Sequence, residues 1–179
     1  MPLISRLTPL LLAACATPYA AVPEALAPAR GEQFALTVAA RGVQVYECRT
    51  GNSGAAARWV FVAPEAELLD AQGRKVGSHG AGPHWLAEDG SRLQGSVKAR
   101  SDAPRAGDIP WLLLATTSSG PQGAFTGVTS IQRVRTHGGV APEGPCEAEG
   151  VARVPYTADY LLFRAASASP GTASLASGR

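Results

Sequence analysis

Between residues 32 and 164 the apolar positions come in short runs bounded by Gly, Pro, Asn or Asp, and none keeps the i, i+3, i+4 recurrence of an amphipathic helix over several turns. Phe34-Ala35-Leu36-Thr37-Val38 predicts one strand and Val43-Gln44-Val45-Tyr46-Glu47-Cys48 a second, with Arg41-Gly42 between them. Gly51-Asn52-Ser53-Gly54 turns the chain into 58–62, which is apolar on both faces and therefore central. Residues 63–69 read either as one helical turn or as a strand, and further strands are expected over 92–100, 111–117, 125–136 and 160–164. About seven to nine strands spaced by turns, with no long helix, predict an all-β domain: a single β-sandwich or a small barrel. No internal repeat and no second domain is evident.

The flanks break this pattern. Residues 1–14 place Arg6 ahead of an apolar stretch from Leu7 to Ala14 and end in Leu12-Ala13-Ala14-Cys15. That ending resembles the lipobox of a bacterial lipoprotein signal peptide, in which cleavage leaves a lipidated Cys15 at the new amino terminus. Several acyl chains, at ~0.8 kcal/mol per buried CH₂, make a durable membrane anchor. Ala16 rather than Asp follows the Cys, which points to the outer membrane, facing the periplasm. The same residues also allow secretory cleavage after Ala16 or Ala20, giving a periplasmic or secreted protein. Residues 15–31 are Ala/Pro-rich and read as a semi-extended tether, and 165–179 are small and polar, the composition of a disordered tail. The β domain is therefore 32–164.

Composition narrows the function classes. With 179 residues the chain suits one domain, and 16 basic against 14 acidic residues leave +2, no footprint for nucleic acid. No apolar run approaches the ~20 residues of a membrane-spanning helix. With Cys15 taken by lipid, Cys48 and Cys146 remain as an even pair in an oxidising compartment, either a disulfide or two buried thiols. There is no C-x-x-C redox or zinc motif.

Candidate chemistry concentrates in His79-Gly80-Ala81-Gly82-Pro83-His84-Trp85-Leu86-Ala87-Glu88-Asp89-Gly90-Ser91, read as a Gly-rich loop where a ligand and backbone can approach closely. Within it, Asp89-Gly90-Ser91 reads as a hairpin turn into the next strand. His137 lies in a second turn-like stretch, Thr136-His137-Gly138-Gly139, and three loop histidines raise the alternative of a metal site. Trp111 sits in the most apolar stretch, suited to a buried strand or to a ligand contact. Tyr46, Tyr156 and Tyr160 either line a ligand surface with Trp85 or cap the ends of the β core. Arg133 and Arg135 share a parity, so both should project from one face, where they meet an anion or, as the preferred reading, solvent. Neither a nucleophile elbow, nor H-E-x-x-H, nor a phosphate-binding glycine pattern is present, so no catalytic residues are assigned and no cofactor is implied.

Taken in order, Val43-Gln44-Val45-Tyr46-Glu47-Cys48, Trp59, Ala63-Pro64, Gly77-Ser78-His79-Gly80-Ala81-Gly82-Pro83, Asp89-Gly90-Ser91, Ile109-Pro110-Trp111-Leu112-Leu113-Leu114, Thr136-His137-Gly138-Gly139 and Val154-Pro155-Tyr156-Thr157-Ala158-Asp159-Tyr160 resemble the domain-of-unknown-function family 3455. It comprises exported bacterial and fungal proteins of unestablished activity. The resemblance spans about Phe34 to Arg164. It implies a shared unit of His79, Pro83, Trp85, Asp89, Trp111 and His137, with Cys48 and Cys146 as its disulfide. Here Gly80 and His84 stand where the family more often has Tyr and Thr.

These readings converge on a lipid-anchored envelope protein with a non-enzymatic binding or structural β domain. Its expected ligand residues are His79, Trp85, Asp89, Trp111 and His137, and its expected partners a small molecule, a glycan or an envelope protein. The alternative is a metal-dependent envelope enzyme using His79, His137 and Asp89.

Overall fold

The structure, a computed structural model, describes residues 20–50 and 56–166. The expected signal peptide at 1–14, the expected lipid site Cys15, the expected turn at 51–54 and most of the expected tail at 165–179 lie outside the described residues.

Eight strands, β1 (Glu32–Arg49), β2 (Arg58–Leu69), β3 (Lys75–Gly80), β4 (His84–Ala87), β5 (Arg92–Ser101), β6 (Trp111–Ser119), β7 (Val128–Gly138) and β8 (Val151–Ala165), pair antiparallel in chain order. Pairing of β1 with β8 closes them into a barrel. Of the two all-β architectures the sequence allows, this is the barrel: one ladder runs round the whole domain and leaves no sheet edge. An eight-stranded barrel is just wide enough to fill with side chains or to hold one small ligand.

The inward positions follow the pleat. Val38, Ala40, Leu68, Trp85, Ala87, Leu93, Leu114, Ile131, Tyr156, Ala158, Tyr160 and Leu162 belong to one buried interior cluster. The outer face carries charge, with cross-strand ion pairs such as Lys75 with Glu67 at 3.1 Å. A single 3-10 turn, Glu24–Leu26, lies on that outer face. Its Leu26 is fully buried with Trp111 and Val134, and Gln132 Nε2 donates to the Leu26 carbonyl at 2.6 Å. The described end of the Ala/Pro-rich segment thus packs on the barrel, because Leu26 covers apolar surface that β6 and β7 turn outward.

Several strands run on where breaks or loops were expected. Arg41-Gly42 is no turn, and β1 continues through it. A Cβ on Gly42 would lie 2.1 Å from the Glu65 carbonyl, so glycine is there to let β1 and β2 approach. Residues 63–69 are strand, straight through Pro64. β3 and β4 take in His79-Gly80 and His84–Ala87 of the stretch read as a loop: their inward positions are Gly77, His79, Trp85 and Ala87, of which only Trp85 is an ordinary strand former. The hairpin turn at Asp89-Gly90-Ser91 forms as expected, with Gly90 at φ 86° and its N–H donating to the Ala87 carbonyl. Arg133 and Arg135 do not share a face. A bulge between Val134 and His137, with Arg135 at φ 48°, breaks the alternation. Arg133 points to the barrel interior, and Arg135 pairs with Asp159 at 2.5 Å.

Candidate ligand site in the barrel mouth

Three rings from three strands form the floor of the site. His79 of β3 stacks on Trp85 of β4, with centroids 4.5 Å apart and planes 14° from parallel. Tyr160 of β8 meets both edge-on, at 5.1 Å from His79 and 5.4 Å from Trp85. Gly95 makes room for this cluster, because a Cβ there would lie 2.7 Å from the Trp85 ring. His79 Nδ1 is 2.7 Å from the His84 carbonyl. A carbonyl only accepts, so Nδ1 carries the proton and Nε2 keeps its lone pair. Burial lowers the His79 pKa to about 4; the His84 hydrogen bond opposes the shift, and the charges of Arg133 and His84 add to it.

Arg133 supplies the charge of the site. It stands directly opposite Tyr160 across the β7–β8 pair. Its Nε and Nη2 both donate to the Pro110 carbonyl, at 3.1 and 2.8 Å. It has no carboxylate partner among the described residues. Burial raises the pKa values of Tyr46, Tyr156 and Tyr160, and in each case the Arg133 charge works against that rise.

Four interior polar atoms are buried without a hydrogen-bond partner: the Tyr156 and Tyr160 hydroxyls, Gln44 Nε2 and Trp85 Nε1. Tyr156 makes looser polar contacts with Tyr160 and Gln44, and Tyr160 with Arg133, outside ideal hydrogen-bond geometry. Buried polar groups are well hydrogen-bonded in the great majority of cases, so this interior polar cluster is loosely satisfied.

Above the floor is a partly open cavity of about 220 Å³ with walls that include Phe61, Val62, Val97, Leu112 and Leu114. A neighbouring hollow of about 500 Å³ shares Phe61, Val97, Leu112 and Arg133 and adds Tyr46 and Val140. Of six large hydrophobic residues exposed among the described ones, four rim these two spaces: Phe61 at 49%, Val62 at 39%, Val97 at 55% and Val140 at 42%. The rim is fixed by the β7–β8 connection. Tyr46 donates its hydroxyl hydrogen to the Gly139 carbonyl at 2.6 Å, and a disulfide joins Cys48 to Cys146 with Cα atoms 5.7 Å apart.

Of the residues expected at the site, His79 and Trp85 are in it. Asp89 is on the turn after β4, where Oδ1 accepts from the Ser91 N–H and Oγ–H and Oδ2 from the Ala124 N–H at 2.7 Å. These bonds, the Ser91 hydroxyl first, hold its pKa below the usual carboxylate value and clasp the β6–β7 connection to the turn. Trp111 lies under Leu26 on the outer face. His137 is exposed beside Arg105 and 3.8 Å from Asp108. No group of three His, Cys, Asp or Glu residues among the described ones is placed to hold a metal ion. Arg133, Phe61 and Leu112 join the site without having been singled out for it. Tyr160 had its signal in the alternation Tyr156, Ala158, Tyr160, Leu162, which puts all four inside. For Arg133 the signal was lost in the bulge that follows it.

Fold and site together define a closed antiparallel barrel with an apolar mouth over an aromatic, cationic floor. A model of the family described as Protein of unknown function (DUF3455) matches residues 28–164, most of the chain and all eight strands but for Ala165 at the end of β8. The chain belongs to that family. Neither a curated protein nor a solved structure matches it.

Proposed function

We propose that the protein is a non-enzymatic binding barrel of the bacterial envelope that takes a small, largely apolar molecule into its mouth. One observation carries this reading: an exposed apolar rim leads down to Arg133, whose charge has no carboxylate partner among the described residues. Partly open apolar cavities with a few convergent polar groups are the usual form of small-molecule sites, and the mouths of β-barrels are among their usual places. Leu12-Ala13-Ala14-Cys15 supports anchorage by lipid at the outer membrane, facing the periplasm. A metal-dependent reaction has no comparable support, because His79, His137 and Asp89 each have a different setting.

The test is titration of the neutral apolar dye N-phenyl-1-naphthylamine into the full-length chain carrying Cys15→Ser, which removes the lipid site. Saturable fluorescence enhancement is expected, with affinity weakened at least about tenfold in Val97→Trp, whose indole would fill the mouth. No saturable binding, or equal binding by Val97→Trp, overturns the reading. The anchor is tested separately: a palmitate analogue should label the wild-type protein and not Cys15→Ser, and label on both or neither removes it.

A further inference from the structure

We propose that the molecule held in the mouth is a compact amphiphilic carboxylate, its anionic head on Arg133, beside Tyr160, and its apolar body along Phe61, Val97 and Leu112. This inference rests on the mouth being a ligand site and adds the chemistry of what enters it.

The head follows from the donors on the floor. A guanidinium has five N–H donors in a planar fork and no acceptor, and it stays charged at any physiological pH. The Pro110 carbonyl takes donors from Nε and Nη2, two of the five N–H donors of the fork. Every ion pair among the described residues involves other side chains, on the outer face or in turns, so the positive charge at the mouth has no built-in counterion. Directly across the strand pair, Tyr160 lines the same cavity, and its buried hydroxyl interacts with Arg133 beneath the floor. Donors therefore outnumber acceptors, of which His79 Nε2 is one. A carboxylate, accepting through two oxygens and about four lone-pair positions, matches that surplus, and a guanidinium can hold it bidentately.

The body follows from the walls. Sugars and free phosphate need polar partners on several sides, and here, apart from the floor of His79, Trp85, Tyr160 and Arg133, the walls are Phe, Val, Pro, Leu and one Gly. About 220 Å³ suits a chain of roughly ten carbons or a small ring system, with the adjoining hollow as overflow. The low dielectric of such walls strengthens the attraction between head and guanidinium and makes an uncharged analogue a poorer fit.

The experiment compares two ligands differing only in the head, decanoate and 1-decanol, as competitors of N-phenyl-1-naphthylamine on the Cys15→Ser chain at pH 7. Decanoate should displace the dye at a concentration at least about tenfold lower than decanol does. Arg133→Gln should abolish that preference while leaving decanol within about twofold. Tyr160→Phe, which keeps the ring packing, should weaken decanoate several-fold and decanol little, and it carries the test if Arg133→Gln does not fold. If decanol competes as well as decanoate, or if the preference survives in the folded variants, the carboxylate proposal is overturned and the mouth remains a binding site. If the dye itself does not bind, both readings fall.

Discussion

Burial beneath Trp85 and Tyr160, more than any neighbouring charge, keeps the His79 ring unprotonated at neutral pH. That has a consequence for acid stability with a definite sign. The folded pKa of about 4 lies below the ordinary 6.5, so in this interval the unfolded chain binds a proton that the folded chain refuses. Stability should be unaffected by His79 above about pH 7 and should fall between about pH 6.5 and 4, by roughly 3 kcal/mol in all. Urea unfolding at pH 7, 5.5 and 4.5 should show this decline in the wild type and a shallower one in His79→Phe. Equal slopes would mean that His79 titrates normally in the fold. His79 and Trp85 were legible as a local cluster because they sit six residues apart in one segment. Their contact with Tyr160 was not, since it joins β8 to β3 and β4.

Strand boundaries show what local pattern can convey. Alternation and turn residues indicate β1, β2, β5, β6 and β7 in outline, because their inward positions include Val38, Leu68, Leu93, Leu114 and Ile131. β3 and β4 escape the same reading because a barrel interior alternates large and small, and the Gly77–Ala87 pair alternates with the His79–Trp85 pair. The Glu24–Leu26 turn escapes it for a different reason: three residues have no period, and only the outward Trp111 and Val134 give Leu26 something to bury. Leu26→Ala should therefore lower stability by about 2–5 kcal/mol, the range for truncating a buried leucine. Because this cluster is on the outer face, dye binding in the mouth should be unchanged. A variant that folds as stably as wild type would show that the turn merely rests on the barrel.

Closure joins the two ends of the domain. β1 pairs with β8 over nearly its whole length, from Glu32 opposite Ala165 to Glu47 opposite Val151, so the final ladder brings together residues more than a hundred positions apart in most of its register. Cys48 at the end of β1 and Cys146 just before β8 pin this same seam across a separation of 98 residues. In the chain-entropy account a cross-link over so long a loop stabilises chiefly by restricting the unfolded chain. The double variant Cys48→Ala/Cys146→Ala should lose about 2–5 kcal/mol in urea unfolding. Since Val140 and Ala141 in the tethered connection line the larger hollow, it should also bind the dye more weakly. Loss of neither would show that the Tyr46 bond to Gly139 suffices to hold the rim.

By itself the sequence determined the all-β class and the family resemblance, and it singled out Cys15 as a candidate lipid site and Cys48 with Cys146 as a disulfide or two buried thiols, since each is written in local alternation, motif order or residue count. Only the tertiary structure decided that the ladder closes, that Arg133 turns inward while Arg135 turns out, and that His79, Trp85 and Tyr160 share one floor under an apolar rim. The physical reason is that an inward direction exists only relative to a closed wall. One bulged residue, or one glycine admitting a neighbouring strand, reassigns which side chains face it, and neither changes the composition along the chain.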